Sequence, residues 1–347
     1  RIVHGQPNVY AFFLALAARL LKGNGELVAI TPRSFCNGLY FRGFRRWYFQ
    51  RVALDHIHLF ESRTDTFRDA SVLQESVITK AHRLGAAAPR VTVTTSFGRN
   101  LNEHMAKSEV PSEQIIDDSS GHCVVRIPGG SDDREVIRLV ESLPARFSDI
   151  ALRISTGPVV MFRATQFLLS EPIENASVPL LLPHNVRPFE TVWPVVKSGK
   201  PAAFRLCKDS LRLLVPARNY VLLKRFSAKE ERRRLTAGCF LDSMNGRSHI
   251  GIENHLNYIY HAERDLSEDE TFGIAAMFNS TLLDRYFRTI SGNTQVNATE
   301  IRTIGFPDLK MLSTIGKHVR KNPSQTDVIV CANLHVKKSL RQSLAAT

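Results

Sequence analysis

Four groups of residues in this chain have types and spacings that suit chemistry. The first is Phe67, set in the polar stretch Asp65-Thr66-Phe67-Arg68-Asp69-Ala70-Ser71-Val72-Leu73-Gln74 between two apolar, strand-like runs. An aromatic held by a short loop at the mouth of a sheet can stack on a nucleobase pulled out of its helix; the competing arrangement folds the ring back into the core. The second is Arg33-Ser34, placed by Pro32 at the end of the apolar run Glu26 to Thr31. In open α/β sheets ligands bind at the carboxyl ends of strands, so both residues are expected at a pocket edge. The third is two basic groups: Arg42, Arg45 and Arg46, and the run Arg218, Lys224, Arg225, Lys229, Arg232, Arg233 and Arg234 with Tyr220 and Phe226 interleaved. Cations that hold phosphate beside rings that stack describe a DNA-facing surface. The fourth is Asn293, Thr294, Gln295 and Asn297, whose polar side chains either read adenine edges or close a hydrogen-bonded turn.

The elements that must carry these groups read as α/β. Asn8 to Lys22 is apolar almost all round, so as a helix it is expected to be buried on more than one side. Gly23-Asn24-Gly25 stops it and feeds the strand at 26–31, and a helix passing into a buried strand is the repeating unit of a doubly wound parallel sheet. A helix is expected over 39–51. Asp55 to Glu61 and Val72 to Ala81 are expected as an antiparallel pair that reverses the sheet's edge, with a further strand at 91–97. A break at Gly129 to Asp133 precedes a helix from Arg134 to Leu143. Beyond it, short runs broken by prolines suggest an α+β, loop-rich region with helices at Ala228 to Thr236 and Glu268 to Phe287. The expected division is a first domain over 1–125, a second over 126–310 and a tail over 311–347.

The chain of 347 residues carries a formal charge of +13, far more than solubility requires, and this points to a polyanionic partner. The excess is localised: residues 1–95 hold 13 Lys and Arg against 6 Asp and Glu, and residues 200–234 hold 11 against 3. Two basic surfaces suggest a clamp on nucleic acid. Cys36, Cys123, Cys207, Cys239 and Cys331 form no ligand pair at metal spacing, which fits a reducing cytoplasm and no structural metal. The histidines form no HExxH or HxxxH pairing, and no apolar run reaches membrane-spanning length.

The chain resembles the amino-methylating DNA adenine methyltransferases of restriction-modification systems, in the order where a target recognition domain follows the catalytic one. The resemblance rests on Gln6-Pro7-Asn8-Val9-Tyr10, Leu21 to Leu27, Ile30-Thr31-Pro32-Arg33-Ser34-Phe35 and Phe67 to Val72, with a second block at Gly292 to Arg302. It implies methyl transfer from S-adenosylmethionine to the N6 of a flipped adenine in double-stranded DNA, with a restriction nuclease as a fused or separate partner. It further implies that the first part is the rear of a Rossmann-like sheet with an antiparallel edge hairpin. Phe67 would then stack on the adenine, while Asn8 and Tyr10 would lie on the cofactor side of the pocket. The family's (Asn/Asp/Ser)-Pro-Pro-aromatic loop is missing, since no Pro-Pro dipeptide occurs, and so is a glycine-rich cofactor turn. The expectation is therefore the rear half of such an enzyme, truncated at its N-terminus, binding DNA but inactive alone. The alternative is a non-enzymatic DNA-binding specificity module that keeps the sheet only as a packing platform.

Overall fold

The computed structural model describes residues 8–60, 75–85, 89–96, 106–118, 121, 123–129, 131–195, 197–227, 231–242, 248–291 and 295–345. The chain divides into two compact units, Arg1–Arg138 with Tyr286–Asn293, and Leu139–Arg285 with Thr294–Thr347. The passage between them falls at Arg138–Leu139, shortly after the break at Gly129 to Asp133, and residues 311–347 group with the second unit.

In the first unit, helix α1 (Val9–Leu20) leads through a turn with Asn24 at φ 58° into β1 (Glu26–Pro32). Helix α2 (Arg42–Phe49) and strands β2 (Val52–Phe60), β3 (Ser76–Arg83), β4 (Arg90–Ser96) and β5 (Ala106–Pro111) follow. The sheet order is β1-β3-β2-β4-β5. β3 runs antiparallel to both β1 and β2, and β2 is parallel to β4. The expected antiparallel pair is therefore present, but its reversed strand lies inside the sheet and not at its edge. Among the described residues three of the four strand pairings are antiparallel, so the sheet is mixed to a greater degree than one reversed edge on a parallel sheet would make it.

α1 corrects a second expectation. It buries only Ala11, Leu14 and Ala18, at the i, i+3, i+7 spacing of one helix face, against β1 and α2. Its other side leaves Val9, Phe12, Phe13, Leu16 and Leu20 exposed. An all-round apolar sequence permits burial on several sides; only the packed neighbours bring it about. Short elements α3 (Ser112–Ile115), β6 (Ile116–Asp117) and β7 (Val124–Val125) precede α4 (Ser131–Glu141).

The second unit contains β8 (Leu152–Thr156), β9 (Leu168–Leu169), β10 (Ser177–Leu181), β11 (Val186–Arg187), β12 (Glu190–Thr191), β13 (Ala203–Arg205), β14 (Val215–Pro216), β15 (Tyr220–Lys224), β16 (Ala237–Phe240), β17 (His249–Ile252) and β18 (Leu256–His261). They form sheets ordered β14-β17-β10-β13-β9 and β16-β15-β18-β8, with β11 and β12 as a separate hairpin. Helices α5 (Glu268–Asn279), α6 (Thr281–Ile290), α7 (Ala298–Thr303), α8 (Leu309–Lys321), α9 (Thr326–Asn333) and α10 (Lys338–Ala345) complete the chain.

The single helix expected over 268–287 is two, because Ser280 leaves the helical conformation at φ −80°, ψ 146°. Its hydroxyl donates to Met277 O and accepts from the Leu283 N–H, capping the end of one helix and the start of the next. The helix expected over 228–236 is not formed at 231–236, where the backbone N–H groups of Arg234 and Leu235 both donate to Asp284 Oδ1. α5 starts on a capping box, Ser267 with Glu270, as the Ser-x-x-Glu spacing dictates. α5 and α8 cross so closely that a Cβ on Gly273 would lie 1.9 Å from Leu312 O, and one on Gly316 1.7 Å from Asp269 O. Among the described residues no helix is long and apolar enough to cross a membrane.

Candidate nucleic-acid interface

In the first unit, α2 sorts its arginines by helical spacing. Phe41, Phe44, Arg45 and Tyr48 share one inward stripe, at i, i+3, i+4, i+7, while Arg46 is exposed and Arg42 half-buried. Arg45 is 1% exposed: its Nε donates to Cys123 O at 2.6 Å, and its Nη1 to the carbonyls of Phe35, Asn37 and Gly38. Burial pulls its pKa down to about 10. A DNA contact for Arg45 is thereby corrected to a structural role, one legible in the sequence from its place on the apolar stripe. Arg42 and Arg46, one helical turn apart, remain available on the outer side.

Arg33 is likewise inside, 2% exposed. It pairs with buried Glu75 at 3.5 Å and donates through Nη2 to the carbonyls of Arg288 and Thr289 at 3.0 Å. Asn37 Nδ2 adds a bond to Ile290 O, and Arg126 donates to Tyr286 Oη. Arg33 thus fastens the returning segment at 286–291 and does not present its charge at an open edge. That role joins residues some 250 positions apart, and no local pattern announces it.

Beside it, Tyr10 Oη and Ser34 Oγ lie 2.9 Å apart, and the Tyr10 ring stacks on Phe41 at 5.7 Å. Burial pushes the Tyr10 hydroxyl up to about 12, against the lowering effect of Ser34, so it serves as a neutral hydrogen-bonding group. Asn8 is exposed at the start of α1. Phe67 lies outside the described residues, in the connection from β2 to β3.

A polar ladder on the same sheet escaped the sequence reading. His56 and His58 on β2 both bond Thr94 Oγ1 at 2.8 Å, and His58 Nε2 reaches Ser96 Oγ at 3.0 Å. Burial lowers both imidazole pKa values, His56 further through Lys107 and His58 through His56. The signal was available: His-x-His on one strand faces Thr-x-Ser on its parallel partner, each alternation keeping its residues on one face.

In the second unit, Arg218 lies over the Tyr260 ring at 4.7 Å, donates to Tyr220 Oη and pairs loosely with Asp265 at 3.8 Å. Lys224, at the end of β15, is half-buried, and burial lowers its pKa. Arg225 donates to Asn254 O at 3.0 Å and to Gln295 Oε1 at 3.2 Å. Asn297 precedes α7 and its amide reaches Glu300 Oε1 at 3.4 Å. Asn293 and Thr294 lie outside the described residues. The basic run is less open than its composition suggests: Arg234 is 1% exposed with its Nε on Ser227 Oγ, and Arg233 is tied to Asn279 O and Asp327. Among the described residues no group of three or more His, Cys, Asp or Glu is placed to hold a metal ion.

The family described as Eco57I restriction-modification methylase matches residues 2–67. Over 313 residues the chain is 38% identical to the type II methyltransferase M.PstI of Providencia stuartii, covering 90% of this chain and 61% of that protein. It is 35% identical to the type II methyltransferase M.BsuBI of Bacillus subtilis, covering 91% of this chain and 62% of that one. The chain thus spans about three fifths of the length of these relatives. Among solved structures, the type IIL restriction-modification enzyme MmeI, determined in complex with DNA, gives a TM-score of 0.57 at 11% identity, over 97% of this chain and 52% of that one; this is a likeness of fold.

Proposed function

We propose that this chain is part of a restriction-modification methyltransferase and serves site-specific methylation of adenine N6 in double-stranded DNA. The observation that carries the reading is the 38% identity to a type II methyltransferase over nine tenths of the chain. The first unit, in this reading, is the rear of a Rossmann-like catalytic fold and the second a target recognition module. A mixed sheet holding a parallel pair supports the first assignment, and the half-buried cations Arg218 and Arg225 beside the Tyr260 and Phe226 rings support the second. Phe67 stacks on the flipped adenine, an interaction worth roughly 1–3 kcal/mol. Arg42, Arg46, Arg218, Lys224 and Arg225 contribute positive charge toward the phosphates, and Asn293, Thr294, Gln295 and Asn297 lie toward the bases.

Adenine N6 is a poor nucleophile because its lone pair is delocalised into the ring, so catalysis rests on an acceptor for its hydrogens and on alignment with the methyl donor. The (Asn/Asp/Ser)-Pro-Pro-aromatic loop that does this in the family has no counterpart here, as the sequence contains no Pro-Pro dipeptide. S-adenosylmethionine is the family's methyl donor. Asn8, Tyr10 and Ser34 offer a few polar groups on its side of the fold, but Tyr10 and Ser34 are bonded to each other, and the sequence holds no glycine-rich turn of the family's cofactor type. These residues alone do not make a cofactor site.

The reading therefore expects this chain to bind DNA and to transfer no methyl group by itself. Selection from a random duplex pool tests the first part: enrichment of one short sequence is expected, and a pool that stays random contradicts it. Incorporation of labelled methyl groups into DNA by the 347-residue chain would overturn the second part.

A further inference from the structure

Phe226 follows β15, whose residues Tyr220 to Leu223 are all buried, yet its own ring is 42% exposed. The backbone on either side is pinned. The Arg225 N–H donates to His255 O at 2.9 Å, the Val296 N–H donates to Arg225 O at 2.7 Å, and Phe226 forms a β-bridge with Gln295. His255 packs against the ring with centroids 4.8 Å apart, and the Arg225 guanidinium lies 5.7 Å from it.

His255 is itself held from beneath. The Glu253 carboxylate, 1% exposed, accepts from the His255 backbone N–H at 2.9 Å and from its Nδ1 at 2.5 Å, while the imidazole side chain is 45% exposed. Donation from Nδ1–H to the carboxylate fixes that nitrogen as the protonated one and leaves Nε2 for an outside partner. The turn that carries both residues is clamped in turn: Asn254 N–H donates to Val159 O, and a Cβ on Gly157 would lie 2.3 Å from Glu253 O. A buried carboxylate, a glycine contact and an arginine with two acceptors are thus spent on holding two rings at the surface.

A protein partner would favour a broad apolar patch at this point. The neighbours are instead Arg225, His255, Gln295 and Asn254, a flat ring bordered by donors and a cation, which suits the π-face of a base. We infer that Phe226 and His255 form a base-contacting platform of the second unit, with Phe226 stacking on a base of bound DNA and His255 turning Nε2 toward the same nucleotide. This rests on the reading that the second unit binds DNA.

The test uses the whole chain, a duplex selected by the wild-type protein, and copies of that duplex carrying 2-aminopurine at each position in turn. Phe226→Ala is expected to weaken binding about tenfold and to abolish the fluorescence change at one position. Phe226→Leu, which keeps the apolar bulk without the π-face, weakens binding to a similar degree, and His255→Ala weakens it less. The slope of log affinity against log salt stays unchanged in all three, since no phosphate contact is removed, and the unfolding midpoints stay at the wild-type value. Wild-type affinity and an intact fluorescence pattern in both Phe226 variants would overturn the platform while leaving DNA binding standing. Failure of the wild-type chain to bind any duplex would overturn the reading of the second unit and the platform with it.

Discussion

Helices α1 and α5 are both twelve residues long and both rich in apolar side chains, yet they end in opposite surroundings. α1, the more apolar of the two, buries three residues and turns Phe12, Phe13 and Leu16 to solvent. α5 begins with three acidic residues and still buries nine, enclosed by α8, β15 and β16. The difference teaches that composition sets what a helix can bury and neighbours set what it does bury. α5 is part of a finished core, whereas α1 keeps an apolar face exposed.

The sharpest way to probe the first unit is at its long-range fastening. Arg33→Met leaves the Glu75 carboxylate buried without its cation and releases the carbonyls of Arg288 and Thr289; a loss of about 3–5 kcal/mol is expected in denaturant unfolding. A loss below about 1 kcal/mol would mean that the returning segment is held elsewhere. In the second unit Gly316→Ala drives a methyl into Asp269 O, and about 1–3 kcal/mol should be lost as α5 and α8 separate.

Acidification should separate the units by mechanism. His56 and His58 have folded pKa values below their unfolded ones, first through burial. The unfolded chain therefore takes up protons first, so their contribution is complete above the ordinary imidazole pKa of about 6.5 and is lost as pH falls through the lower folded values. Unfolding of the first unit followed from pH 7.5 to about 5 should show this loss, and His58→Gln should flatten it. At α5 the corresponding group is Glu270. Burial pushes its carboxyl up, but bonds from Arg264 and the Ser267 N–H outweigh this and hold it low. Its contribution persists until pH falls below the ordinary carboxylate range. The smallest effect is expected on α1: Phe13→Ser and Leu20→Ser should change stability in denaturant unfolding by under about 0.5 kcal/mol, since both side chains are exposed. A large destabilisation there would erase the contrast with α5.

Local patterns made much of this fold legible. The Gly23-Asn24-Gly25 stop, the helix start at Glu268, and the strand runs around 26–31, 55–60 and 91–96 follow from turn and periodicity rules. What stayed hidden depends on distant partners. The place of β3 between β1 and β2 is a matter of pairing, which a strand's own residues do not specify, and the division of helix 268–290 turns on the capping choice of a single serine. Arginines were the least legible residues of the candidate site. Arg33 looks in composition like Arg42 and Arg46, yet it is buried because a carboxylate and two carbonyls meet it from far along the chain; Arg45 shows its burial by its place on the apolar stripe, and Arg234 is bonded by a hydroxyl seven residues away.

The central claim is that this chain recognises DNA, and equilibrium binding as a function of salt tests it most directly. The purified chain should bind its selected duplex far more tightly than an unrelated one, with log affinity falling linearly against log salt at a slope set by several phosphate contacts. Equal affinity for the selected duplex, an unrelated duplex and heparin would show only a basic protein meeting polyanions, and would contradict the account.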